Sequence, residues 1–253
     1  MTIKTDANYR YIESNGIPDH TTGRFPNSGN PNAITEQEHS YRVTLNPKKT
    51  DKKTSIKIAG VAKNGVPMEP GTAEFWNRDR SSGWNIQAFA SGVNLGIDSN
   101  NAHVQPTGSY HYHGKPTGII NKSSDTLVGW AADGFEIHYL GSKAKSSYKL
   151  KSGTRSSGPG GSYDGTYDQD WEYAAEHGNL DECNGGELNG SYAYFITDSY
   201  PFIQRCVFGT PDGSFTKRGG GGGPGGPGMR GGDDRRGPPP RHGDRDRPPP
   251  PRY

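Results

Sequence analysis

Tyr110-His111-Tyr112-His113-Gly114 restricts the possible folds of this chain more than any other segment. Strict alternation of phenol and imidazole does not fit an amphipathic helix, whose faces recur every 3.6 residues. It fits an extended strand, in which neighbouring side chains point to opposite sides. His111 and His113 then share one face, and Tyr110 and Tyr112 the other. The two-residue period recurs from His39 to Leu45, with Tyr41, Val43 and Leu45 on one side, and less regularly from Ser55 to Lys63. Gly134 to Leu140 sets Phe135, Ile137 and Tyr139 opposite Glu136 and His138, and Ser191 to Thr197 reads as a further aromatic strand. Helical spacing is confined to a turn or two at Gly83–Ala90 and Asp170–Glu176. The pattern predicts a mainly-β chain, a single sandwich-like or distorted-barrel domain with long loops.

Composition divides the chain. Hydrophobic residues make up only 28%, but the deficit is concentrated at the end. Residues 218–253 hold 12 Gly, 9 Pro and 8 Arg, with Met229 the sole long aliphatic side chain. Such a stretch buries too little apolar surface to offset the entropy of ordering it, and a disordered tail is expected there. The expected organisation is an irregular N-terminal lead-in over 1–38 packed on the domain, a β domain over 39–217, and the tail. The whole chain carries +2, and the tail's arginines outnumber its four aspartates, so residues 1–217 are slightly acidic. That argues against nucleic acid as a partner and leaves a small-molecule or cell-surface ligand. No run approaches membrane-spanning length, and Met1–Asp6 shows no apolar signal core. The reading is that a leader was removed or that the protein stays inside the cell.

Three of the eight histidines lie between His103 and His113. The Pro106-Thr107-Gly108 turn can fold His103 back onto His111 and His113, giving three imidazoles that could hold one metal ion. Imidazole suits zinc or copper better than calcium or magnesium. The plainer alternative is that each histidine is an ordinary polar strand residue, since the spacing matches no fixed zinc or haem pattern. Tyr110 and Tyr112 would wall such a site or stack on its ligand.

Asp133, Asp181 and Glu182 are the carboxylates considered as general base or fourth ligand; their alternative is to cap turns. Asp164, Asp168 and Asp170 have the oxygen-rich spacing of a calcium loop. Ala175 stands where an EF-hand needs its bidentate Glu, so only a looser calcium site is left open. No nucleophile elbow and no phosphate-cradling glycine loop is present before the tail. Cys183 and Cys206 form neither a CxxC nor a zinc-finger pattern. A disulfide between them is the simplest reading, with a buried pair of inert thiols as the alternative.

The same residues carry a resemblance. Tyr110–Gly114 resembles the motif that names the YHYH domain family. Asn15-Gly16-Ile17-Pro18-Asp19-His20, Ala132-Asp133-Gly134-Phe135, Leu180–Gly185 and Ser191–Phe195, with Pro201 and Cys206, resemble its other blocks in order, over about residues 9–217. Glu136 departs from the pattern, which would have a Pro followed shortly by Tyr-Gly. The resemblance implies an often exported, bacterial-type domain, secreted, periplasmic or at the cell surface, and that setting strengthens the disulfide reading. Three functions fit: an exported metal-binding domain for binding, storage or sensing; a metal-dependent hydrolase or copper oxidase at the same site; and a structural cell-surface module.

Overall fold

The computed structural model describes residues 1–216; the expected disordered tail lies outside them. Three strands open the chain: β1 (Thr2–Thr5), β2 (Tyr9–Ser14) and β3 (His39–Thr44), joined antiparallel in the order β1-β2-β3. There follow β4 (Thr54–Ser55), β5 (Gly60–Ala62), β6 (Pro67–Met68), β7 (Ala102–Val104), β8 (Tyr110–Tyr112), β9 (Leu127–Ala131) and β10 (Glu136–Tyr139). The last five are β11 (Tyr148–Leu150), β12 (Trp171–Tyr173), β13 (Gly185–Leu188), β14 (Ser191–Ile196) and β15 (Cys206–Val207). Eight of them form one mixed sheet in the order β13-β14-β10-β9-β5-β6-β8-β7, while β11–β12 and β15–β4 are separate pairs. The only α-helix among the described residues is the single turn Thr117–Ile120. None of their helices is long and apolar enough to cross a membrane.

The chain is therefore mainly β, as the alternation predicts, and two sheets stack. Ile12, Tyr41 and Val43 from the small sheet pack with Val61, Trp130 and Ala132 from one face of the large one. The other face buries Met68, Ala102, Val104, Tyr110, Tyr112, Ile137, Tyr194 and Ile196. Burying one such aromatic side chain contributes roughly 1.5–3 kcal/mol, so these faces hold the sheets together.

Two expectations need correction. Residues 9–14, read as part of an irregular lead-in, form β2, because Tyr9 to Ser14 pairs in register with His39 to Thr44 and buries Ile12 completely. The expected helical turn at Asp170–Glu176 is interrupted by β12, where Trp171 pairs with Leu150 and Tyr173 with Tyr148; only the single 3-10 turns Asp168–Asp170 and Ala175–His177 flank it. Seven residues are too few for local periodicity to outweigh that pairing. In β10 the register shifts between Ile137 and His138, so His138 is buried although Ile137 before it is buried too.

Candidate metal centre

The histidine site is built from one hairpin at the end of the large sheet. β7 and β8 are antiparallel with His103 directly opposite His111, Ala102 opposite Tyr112 and Val104 opposite Tyr110. The link closes through Gly108 N–H to Gln105 O (2.8 Å) and Gln105 N–H to Ser109 O (2.9 Å). Gly108 has φ +84°, and a Cβ there would stand 1.9 Å from Thr35 Oγ1. Backbone conformation and space both call for glycine at this turn. His113 follows two residues after His111 and reaches the same face.

The three rings converge. Each pair of ring centroids is 4.7 Å apart. One nitrogen from each residue lies within 4.8 Å of the other two, and no other His, Cys, Asp or Glu group among the described residues meets that criterion. Nε2 of His113 is 3.0 Å from Nε2 of His103. Two nitrogens on one zinc, at about 2.0–2.1 Å each, can be no more than about 4 Å apart, so this pair is already at ligand spacing.

Nδ1 of His103 donates to Leu95 O (2.8 Å) and Nδ1 of His111 to Ser109 O (3.3 Å). Carbonyl oxygens only accept, so both Nδ1 atoms carry the hydrogen and Nε2 keeps its lone pair. A ring fixed through one nitrogen by a backbone carbonyl is the usual setting of a metal-ligating histidine. His111 and His113 are buried and His103 half-buried. All three open onto a cavity of about 750 Å³.

Tyr110 and Tyr112 do not wall this site. Alternation turns them into the main core, where Tyr110 Oη donates to Asp98 (2.7 Å), and Tyr112 Oη bonds His20 Nε2 (2.5 Å) and accepts from Asn64 Nδ2 (2.9 Å). Burial pushes both phenols above their ordinary range. Their place is structural, on the far side of β8 from the imidazoles.

None of the three expected carboxylates lines the cavity or joins the histidine group. Asp133 accepts from Tyr194 Oη (2.7 Å) and Gly209 N–H (2.9 Å), and burial raises its carboxyl against the lowering effect of these bonds. Asp181 holds the turn into β13: Oδ1 accepts from Cys183 N–H (3.0 Å) and Gly185 N–H (2.8 Å), and Oδ2 from Tyr192 Oη (2.8 Å). Glu182 pairs with Lys53. β13 is the opposite end of the strand order from β7, which is why Asp181 and Glu182 serve another part of the fold.

The acidic loop is likewise claimed from within the protein. Arg155 binds Asp170 (Nε to Oδ1 2.8 Å) and Asp164 (Nη2 to Oδ1 2.5 Å), and Arg205 Nη1 binds Asp168 Oδ2 at 2.7 Å. Each of the three carboxylates is thus paired with a guanidinium group. Cys183 and Cys206 are joined as a disulfide, with Cα atoms 5.1 Å apart.

The carboxylates that do line the cavity are Glu69 and Glu74, with Lys57, Arg80 and Arg205 as its cations. Glu69 arrives through β6, which pairs parallel to β8 with Met68 beside Tyr112; Glu69 N–H donates to Tyr112 O (2.8 Å). Its side chain therefore shares the histidine face, and both carboxylate oxygens accept from Gln105 Nε2 at 2.8 Å. The only trace of Glu69 in the sequence is Glu69-Pro70-Gly71, which reads as a turn.

The family model for the YHYH protein matches residues 40–209, and Tyr110–His113 lies within the match. The chain belongs to the YHYH family. No curated protein matches the chain, and neither does any solved structure. The matched region is shorter than the 9–217 span of the sequence blocks and leaves out Asn15–His20. Yet His20 packs on the YHYH segment through its bond to Tyr112.

Proposed function

We propose that this YHYH domain is an exported metal-binding domain in which His103, His111 and His113 hold one Zn(II) or Cu(II) ion. The observation that carries this reading is the convergence of three imidazoles, two of them fixed through Nδ1 by backbone carbonyls, which leaves their Nε2 atoms for a metal. The donor set is all nitrogen and borderline-soft, which favours zinc or copper over calcium or magnesium. The disulfide fits an oxidising compartment and supports export. A binding, storage or sensing role needs no more than this.

Elemental analysis of protein purified without added metal, followed by zinc and copper titration, tests the reading. The expected stoichiometry is one ion per chain, with affinity lost in His113→Ala and His103→Ala. A wild type that binds neither ion, or folded variants that bind as well as wild type, would overturn it. Circular dichroism confirms that the variants fold.

A second reading, a metal-dependent enzyme at the same site, is favoured by one feature. Three protein ligands leave a coordination position open toward a cavity, and Glu69 stands on its wall in place of the three carboxylates expected from the sequence. Glu69→Gln would then keep the metal and abolish turnover, whereas in a storage protein it would leave release and uptake unchanged.

A further inference from the structure

The cavity beside the histidines carries charge that holding a metal does not use. Its lining has three cations, Lys57, Arg80 and Arg205, against two carboxylates, Glu69 and Glu74. Two of the five are occupied within the protein: Glu69 by Gln105, and Arg205 by Asp168 and by Pro70 O (2.9 Å). Lys57 and Arg80 are exposed and make no ion pair among the described residues. Arg80 is nonetheless placed. Its guanidinium carbon lies 5.4 Å from the Phe75 ring centroid, and Asp79 caps the turn it begins by accepting from Ser81 N–H at 2.8 Å.

We propose that this cavity admits a small molecule bearing an oxyanion, a carboxylate or a phosphate. Arg80 and Lys57 hold the charged end while another oxygen of the molecule reaches the metal. The inference rests on the metal-binding reading. Once a divalent ion is bound, the lining carries five positive charges against two negative ones, and concave low-dielectric walls concentrate that field. A guanidinium fork matches the paired oxygens of a carboxylate or phosphate, and an ammonium adds a point charge beside it. A volume of about 750 Å³ lies within the range of small-molecule sites. Glu74 is the opposing charge on the same wall, and it makes no ion pair among the described residues. Its removal should strengthen the site, whereas removal of Arg80 and Lys57 should weaken it.

Calorimetric titration of the zinc-loaded full chain tests this, with inorganic phosphate and succinate as separate probes at constant ionic strength. Wild type, the Lys57→Ala/Arg80→Ala double variant and Glu74→Gln are compared after each has been titrated with zinc alone. The double variant should bind the preferred probe at least about tenfold more weakly, and Glu74→Gln about two- to fivefold more tightly, with zinc stoichiometry equal in all three. Tighter succinate assigns a carboxylate ligand, and tighter phosphate a phosphoryl one. A wild type that holds zinc but binds neither probe better than the double variant would overturn the oxyanion site alone. A wild type that holds no zinc would overturn the metal reading, and this inference with it.

Discussion

Reduction of the Cys183–Cys206 bond has an effect that can be worked out from its place in the chain. The bond joins residues 23 apart. In the chain-entropy treatment, opening a loop of that length returns roughly 11 cal/mol/K to the unfolded state, about 3.4 kcal/mol at 25 °C. For a domain of this size that is a fall in Tm of roughly 7–14 °C. A phosphine reductant leaves both sulfurs in place, so little packing is lost with the bond. Tryptophan fluorescence during guanidinium unfolding reads the cost, with mass spectrometry confirming two free thiols. The bond ties the turn before β13 to β15, which pairs with β4 through Cys206 and Ser55. The β7–β8 hairpin lies outside the closed loop. Zinc affinity of the folded, reduced protein should therefore stay within about threefold of the oxidised form, since no ligand-bearing strand gains freedom. A cost below about 1 kcal/mol would refute the loop-closure argument. A tenfold loss of zinc affinity would show that the bond positions the histidines.

Gly108→Ala places a side chain at positive φ against Thr35 and should cost roughly 2–4 kcal/mol, lowering zinc affinity as well, because the same turn sets His103 opposite His111; thermal unfolding and zinc titration read both. Tyr112→Phe removes the hydroxyl that serves His20 and Asn64, so denaturant unfolding should show a loss of about 1–3 kcal/mol with metal content unchanged; loss of metal would contradict its placement on the far face. Asp133→Asn tests the buried carboxyl. Because burial raises its folded pKa, its stabilising contribution is full below the unfolded value, about 3.8, and is lost as pH rises through the folded one. The stability difference between variant and wild type should therefore move in the variant's favour from about pH 4 to pH 7, and a difference that stays flat would show that Asp133 is not titrating.

The alternation rule was enough to place β3, β8 and β14 and to put three histidines on one face, because strand geometry is local and the Pro106–Gly108 turn is short. It also separated Tyr110 and Tyr112 from those histidines, and their assignment to the site failed for that reason. The cavity wall was not legible. Glu69 reaches the histidines through a two-residue strand that pairs in parallel with β8, a contact with no periodic trace. Arg205 is brought in by β15, another two-residue strand. The carboxylates singled out by spacing were real clusters with other work: Asp181 builds the turn at the disulfide, and Asp164, Asp168 and Asp170 neutralise Arg155 and Arg205. A run of acidic residues does not reveal whether its counter-charge is a metal or an arginine.

β7 ends the strand order of the large sheet, and such a position is ordinarily where a second chain could add a strand. Here its outer rim is already taken. Ala102 exchanges bonds with Asp98, giving its N–H to Oδ1 (3.3 Å) and accepting the Asp98 N–H (2.9 Å). Val104 O accepts both Asn30 Nδ2 (2.9 Å) and Asn32 Nδ2 (2.8 Å). These side-chain amides imitate a neighbouring strand without offering one, so a second molecule finds no ladder to continue. A histidine-bearing strand can thus sit at the margin of the sheet, within reach of solutes, without becoming a seed for aggregation. Disrupting Asn30 and Asn32 together would expose that margin and favour self-association before any loss of fold.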